Sequence, residues 1–387
     1  MSKTAIPSVF PAEGVFEFST IHVDLSSATP GARVHYTLDG SEPTMDSPVY
    51  IRAEGLLPLR GEHGADIRHT LRAFAEADGR EPSPVVTFTY RFCCPANGTY
   101  RHQLLREPTA DAAGLIRIED FDLDKMYLLV GTERALLIDA GWDETGDLPG
   151  LCRELSGGLP VDLAVAHGHP DHIGQVKAFL EAGSTVYLPH ADREAIASFG
   201  LDVPVERTLD IVDGISLSLG NTVLRVYGVP GHTPGEVVLL DEGTGDLFSS
   251  DAFGSNRRYV PDTAWLQLSE CSLESSLQGL ERFLKATKGT LRRIFTGHND
   301  EILDAEAYLA ALQTALRRAV ERGEDALVPS LRSAAESFGS GSAAIEGDWR
   351  IDPIWAGANL RFLREADRLA VPPRYARGFN PRIRTEL

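Results

Sequence analysis

Six residues, His167-Gly168-His169-Pro170-Asp171-His172, constrain the fold of this chain most, because they hold four potential metal ligands. They stand between a buried-strand run, Val161 to Ala166, and a stretch from Ile173 to Leu180 that reads as the first turns of a helix. Loops off rigid strands are where chemistry is usually placed. If the strand-end backbone stays extended, His167 and His169 project to the same side by the two-residue period, while Asp171 and His172 turn with the helix toward a second point. One short segment can therefore serve two adjacent cations.

Two metal shells need further ligands, and three follow downstream, each at the end of a strand-like run. Leu224 to Tyr227 leads into Gly228-Val229-Pro230-Gly231-His232-Thr233-Pro234-Gly235, whose glycines let the backbone bend close to an ion. Asp246 to Ser250 delivers Asp251, and Arg293 to Gly297 delivers His298. Taken singly these residues have plainer readings. Asp171 would serve as a helix N-cap, a lone histidine as a satisfied polar group, and His190 reads as structural.

The ordered set, His-x-His-x-Asp-His, then a lone His, an Asp and a final His, resembles the signature of the metallo-β-lactamase-fold hydrolases over roughly residues 100 to 320. The resemblance implies that His167, His169 and His232 hold one metal, that Asp171, His172 and His298 hold a second, and that Asp251 bridges them. Leu136-Leu137-Ile138-Asp139-Ala140-Gly141 resembles the family's early strand, which implies that Asp139 supports the metal loop from behind the ligands. Ser250 departs from the glycine that many members carry before the bridging aspartate. Gly254 stands near where lactonases often carry a tyrosine.

Imidazole and carboxylate donors without thiolate suit zinc, manganese or iron(II). A pair of dications lowers the pKa of bound water toward ~7 and polarises a carbonyl or phosphoryl group, so hydrolysis is the expected chemistry, with Asp171 placed to orient the attacking hydroxide. Within the family, hydroxyacylglutathione hydrolases and quorum-quenching lactonases share this ligand set, which points to a small ester, thioester or lactone. Two other classes stay open. One is a mononuclear iron persulfide dioxygenase using His167, His232 and Asp251, and the other is a non-catalytic glycan- or partner-binding protein with a structural metal.

Residues 10 to 90 change character, with short β-rich runs such as Val34-His35-Tyr36-Thr37, Thr70 to Phe74 and Val85 to Tyr90 separated by turn signals. This spacing predicts a small β-sandwich. Tyr36-Thr37-Leu38-Asp39-Gly40 with Ser47-Pro48-Val49-Tyr50 resembles the immunoglobulin-like domain at the C-terminus of chitobiases. The expected role is accessory, in docking or dimerisation, because a fold alone does not confer sugar binding.

The two resemblances together imply an αββα sandwich of two mixed sheets, preceded by an immunoglobulin-like sandwich. Its divisions are 1–95 for the accessory domain, 96–322 for the catalytic domain and 323–387 for a C-terminal extension. Helices are expected near Gly174 to Ala182, Ser272 to Ala286 and Ala305 to Arg322.

With 37 Lys and Arg against 56 Asp and Glu, the net charge of −19 repels phosphate backbones and argues against a nucleic-acid partner. No apolar run approaches the ~20 residues that span a bilayer, no signal peptide is visible, and the four cysteines lack metal-like spacing. A cytoplasmic location with a small-molecule substrate is the expectation, and homo-oligomerisation stays open. Positive charge gathers at Arg257-Arg258-Tyr259 and from Arg361 to Arg384, and the first group is a candidate contact for an anionic substrate.

Overall fold

The computed structural model describes residues 2–17, 20–51, 57–122, 124–142, 145–254, 263–267, 271, 273–298, 302–322 and 359–363. They fall into two compact units that divide at Ala96 and Asn97.

In the first unit, β1 (Pro7–Phe10), β3 (Thr20–Ser27) and β5 (Leu57–Arg60) form one sheet, in the order β1-β3-β5. The other sheet, in the order β2-β7-β6-β4, contains β2 (Gly14–Phe16), β4 (Arg33–Thr37), β6 (Asp66–Glu76) and β7 (Val86–Cys93). Alternate residues of the two sheets meet in one core, with Val23, Leu25 and Leu59 packing against Leu71, Ala73, Tyr90 and Phe92. That is a small β-sandwich, closed by the period-two pattern.

The second unit opens with β8 (Arg101–Arg106), β9 (Gly114–Glu119), β10 (Lys125–Val130) and β11 (Ala135–Ile138), antiparallel neighbours in that order. Next come α1 (Leu148–Leu155), β12 (Val161–Ala164), α2 (Pro170–Ile173), α3 (Val176–Glu181), β13 (Val186–Leu188), α4 (Arg193–Ser198) and β14 (Leu209–Asp210). Strands β11 to β14 run parallel, which completes a seven-stranded sheet. The helix expected near 174–182 is α3, which starts two residues later and is separated from α2 by a break at Gly174 and Gln175. At the break, the Gly174 and Gln175 N–H groups bond to Gly141 and Ala140 carbonyls instead of continuing α2 into α3.

A second, six-stranded sheet has the order β15-β16-β17-β18-β20-β21. Its members are β15 (Ser216–Ser218), β16 (Val223–Gly228), β17 (Val237–Asp241), β18 (Asp246–Ser250), β20 (Arg293–Thr296) and β21 (Leu303–Asp304). Between its later strands lie β19 (Thr263–Gln267) and α5 (Leu273–Ala286), and after them α6 (Ala305–Arg322) and β22 (Asn359–Leu363). Strands β19 and β22 pair antiparallel as a separate ribbon. Apart from Asn359–Leu363, the extension expected over 323–387 lies outside the described residues.

Strand alternation makes the layers. Leu115, Tyr127, Leu129, Leu136 and Ile138 meet Val226, Leu239, Phe248 and Phe295 between the sheets. On the outer face of the first sheet, Leu128, Leu137 and Leu163 carry Leu148, Phe179 and Ile196 from α1, α3 and α4. On the second, Val238, Leu240 and Ile294 carry Leu280, Phe283, Leu309 and Leu312 from α5 and α6. The result is an αββα sandwich, and the two inner strand systems bring their loops to one edge. Among the described residues, no helix is long and apolar enough to cross a membrane.

Candidate metal centre

Five chain segments converge at that edge, which the carboxyl ends of several parallel strands reach, as in other open α/β sheets. Asp139 follows β11, His167 to His172 follow β12, His232 lies between β16 and β17, Asp251 follows β18 and His298 follows β20. Backbone bonds fix the segments to one another. The Val237 N–H donates to Ala166 O at 3.0 Å, Gly297 N–H to Ser250 O at 2.9 Å and Lys125 N–H to Gly297 O at 2.7 Å.

All seven candidate ligands come together. Donor atoms lie within 4.8 Å of one another in each of three groups: His167, His169 and His232; His167, His172 and Asp251; Asp171, His172 and His298. Asp251 Oδ2 lies 3.8 Å from His232 Nε2 in one half and 3.2 Å from His298 Nε2 in the other, with His172 Nε2 at 3.9 Å. Asp171 Oδ2 stands 3.4 Å from His298 Nε2 and 3.6 Å from His172 Nε2.

The donor set fits divalent cations. His167 Nε2 and His172 Nε2 are buried without a hydrogen-bond partner, a costly state for an imidazole nitrogen unless an ion or water meets it. Burial first, and the neighbouring histidines second, push His167 and His169 well below the ordinary histidine range, so both present neutral lone pairs. His172 differs. Burial opposes its charge, but Asp171, Asp139 and Asp251 outweigh burial and lift its pKa to about 10. A ring that binds a proton this firmly marks a pocket of negative potential ready for a cation.

Asp171 is not a helix N-cap. His169 takes that position, with Pro170 following in the first turn, so the Asp171 carboxylate points into the cluster from the first turn of α2. Asp139 accepts the Ala166 N–H with Oδ1 at 2.9 Å and meets His172 Nδ1 with Oδ2 at 3.1 Å. Ser250 holds a left-handed backbone, φ 46°, that suits the glycine it replaces, and its hydroxyl lies 3.3 Å from His167 Nδ1 and 3.2 Å from His172 Nδ1. Gly254 has φ 74° in the turn after Asp251, a conformation that disfavours the tyrosine of lactonases at this place. His190 lies apart from the cluster and contacts Thr208 Oγ1 at 2.9 Å. Arg257, Arg258 and Tyr259 lie outside the described residues.

Several residues of the site were not singled out from sequence. Asp124 Oδ1 lies 3.0 Å from His298 Nδ1, so it orients that ring as Asp139 orients His172. Glu236 is fully buried, 3.7 Å from His167 Nδ1, and burial, reinforced by Asp251, holds its carboxyl well above the usual range. Phe199, 36% exposed, sets its ring edge-to-face with His169 at 5.6 Å between centroids. Each looked ordinary in sequence, because its partner lies many residues away.

The profile of the metallo-beta-lactamase superfamily matches residues 124–320, half of the chain, and spans every one of these ligands. The chain belongs to that superfamily. With this membership and the buried His/Asp cluster, it is a metal-dependent hydrolase. The Fn3-associated profile matches residues 23–90, within the N-terminal sandwich.

Among curated superfamily relatives, the hydroxyacylglutathione hydrolase of Gloeobacter violaceus is 29% identical over 218 residues, 53% of this chain and 81% of that protein. The one from Methylococcus capsulatus is 33% identical over 183 residues, 43% of this chain and 62% of that protein. The chain thus spans between half and four-fifths of such relatives, since the match to that of Anaeromyxobacter dehalogenans covers 51% of its length. Among solved structures, a metallo-beta-lactamase from Pontibacter korlensis superposes with TM-score 0.42 at 17% identity, over 56% of this chain and 99% of its own.

Proposed function

We propose that this chain hydrolyses a small thioester or ester, of the kind that the name hydroxyacylglutathione hydrolase describes in its relatives, at a pair of divalent cations. Zinc suits the all-imidazole and carboxylate donor set, as do manganese and iron. His167, His169 and His232 would hold one cation, Asp171, His172 and His298 the other, and Asp251 would be shared. The observation that carries this reading is the position of Asp251 Oδ2, within 4 Å of imidazole nitrogens from both halves of the cluster. A site for one ion needs no such shared carboxylate.

When bound, divalent cations lower the pKa of water toward ~7 and polarise a carbonyl. The remaining work falls to the chain's own residues. Asp171 and His298 side chains keep 13% and 11% exposure, whereas His167, His172 and His232 keep 2% or less. Substrate therefore approaches from the Asp171 and His298 side. Asp171 can accept a hydrogen bond from the attacking water there, and orient it toward the acyl carbon. Phe199 offers an apolar surface beside His169 for the rest of the substrate. The four cysteines form no disulfide, which fits a reducing compartment such as the cytoplasm.

Metal analysis of protein purified without chelator, joined to a panel of small thioesters, esters and lactones, tests the proposal. Close to two metal ions per chain and thioester turnover are expected. One iron per chain, with oxygen uptake on a persulfide, would overturn it in favour of a dioxygenase.

A further inference from the structure

Asp192 stands at the N-cap of α4, where an aspartate ordinarily accepts an N–H from the first helical turn. It makes no such bond. Its carboxylate turns instead to two other loops. Oδ2 accepts the Gly168 N–H at 2.9 Å and the Thr233 hydroxyl at 2.8 Å, while Oδ1 accepts the Gly235 N–H at 2.7 Å.

Gly168 separates His167 from His169 on the loop that leaves the first sheet. Thr233 follows His232 on the loop of the second sheet. The Val237 N–H to Ala166 O bond joins the roots of these loops, and Asp192 joins them again beside the histidines themselves. The approach is too close for side chains. A Cβ on Gly168 would meet Asp192 Cβ at 2.8 Å, and one on Gly235 would meet Asp192 Oδ1 at 2.7 Å. The carboxylate is fully buried, so burial raises its pKa, and the Thr233, Gly235 and Gly168 donors act against that rise.

We infer that Asp192 is a positioning residue that sets the spacing of His167 and His169 against His232, an inference that rests on the metal-centre reading above. A helix cap is forgone so that one carboxylate can tie two ligand loops from different sheets. Groups that hold ligands in place from behind commonly change metal affinity about 10–100-fold when altered. The effect belongs to the three-histidine group, because Gly168 lies between His167 and His169 and Thr233 follows His232, so the Asp192 bonds fall beside those three rings.

The experiment is a cobalt(II) titration of the metal-stripped full chain, followed by calorimetry and by visible absorption, for wild type, Asp192→Asn, Thr233→Val and Thr233→Ser. Asparagine keeps the size and one acceptor oxygen, but turns an amide donor toward a backbone N–H or the Thr233 hydroxyl. Thr233→Val removes one hydroxyl with little change of shape. In Asp192→Asn, affinity at one of two sites should fall about 10–100-fold with a changed cobalt spectrum, while the other site stays as in wild type. Thr233→Val should weaken the same site less, and Thr233→Ser should restore it. Wild-type affinities and spectrum in Asp192→Asn would overturn the inference, as would equal loss at both sites together with a lower melting temperature in the metal-free chain. A wild-type chain that binds no cobalt would overturn the metal-centre reading and this inference with it.

Discussion

Asp139 grips His172 and the root of its loop with one carboxylate: Oδ2 lies 3.1 Å from His172 Nδ1, and Oδ1 accepts the Ala166 N–H at 2.9 Å. The backbone of Asp139 is left-handed, φ 63°, a conformation that aspartate and asparagine tolerate better than most residues. With Nδ1 engaged, Nε2 is the nitrogen left for the cluster, on the side of Asp171 and Asp251.

Asp139→Asn should therefore lower metal affinity about 10–100-fold while leaving the fold intact, because the amide keeps the backbone conformation and the Ala166 bond but loses the charge opposite Nδ1. Metal affinity by chelator competition, beside a thermal melt of the metal-free variant, checks this. Unchanged affinity would show that Asp139 shapes only the strand end.

A second expectation concerns protons. In the metal-free chain His172 has a pKa of about 10, raised above the ordinary ~6.5 of an unfolded histidine because nearby carboxylates outweigh burial. A raised histidine stabilises the folded state fully below pH ~6.5, and that stability is lost as pH rises through about 10. A cation on Nε2 must expel the proton. His167 and His169 hold none to expel, since burial keeps them neutral. Metal uptake at pH 7 should thus release about one proton at the His172 group, and affinity there should weaken about tenfold for each pH unit lowered. Calorimetry in buffers of different ionisation enthalpy measures the release directly; none at pH 7 would show that His172 is already neutral in the metal-free chain.

The sequence displays some of these features and conceals others for physical reasons. The strand-end positions of His167, His232, Asp251 and His298 follow from local periodicity, which neighbouring residues display, and the αββα layers from the resemblance that the ordered ligand set carries. The break between α2 and α3 was hidden, because it comes from bonds to Gly141 and Ala140 across the fold. Asp192 and Asp124 carry no local signal of their use, and only tertiary placement, 41 and 174 residues from Thr233 and His298, reveals it. Ser250 departs from the pattern, yet its backbone is left-handed, a conformation that ordinarily favours glycine.

Asp171→Ala should abolish turnover with little loss of stability. The residue is half-buried within the first turn of α2, its carboxylate reaches His172 and His298, and His169 occupies the cap position, so no helix start depends on it. Steady-state turnover and a thermal melt on the same sample decide the matter. Retained turnover with a lowered melting temperature would make the residue structural.

A chain that begins near Ala96 should keep its metals and its turnover of a small substrate. The N-terminal core is made from residues between Val9 and Cys94, whereas the cores on either side of the two large sheets, and the core between them, draw on Tyr100 and later residues. Every candidate ligand lies at or beyond His167. Removing a unit with its own core leaves the other cores whole, so the buried apolar contacts that hold the ligand loops remain in place. The truncated and full chains are to be compared in metal content, oligomeric state and kcat/KM. A fall in oligomeric state with turnover kept would assign the sandwich to assembly. Loss of turnover with metals and oligomeric state unchanged would instead mean that the N-terminal unit helps to build the substrate pocket, against the accessory role expected for it.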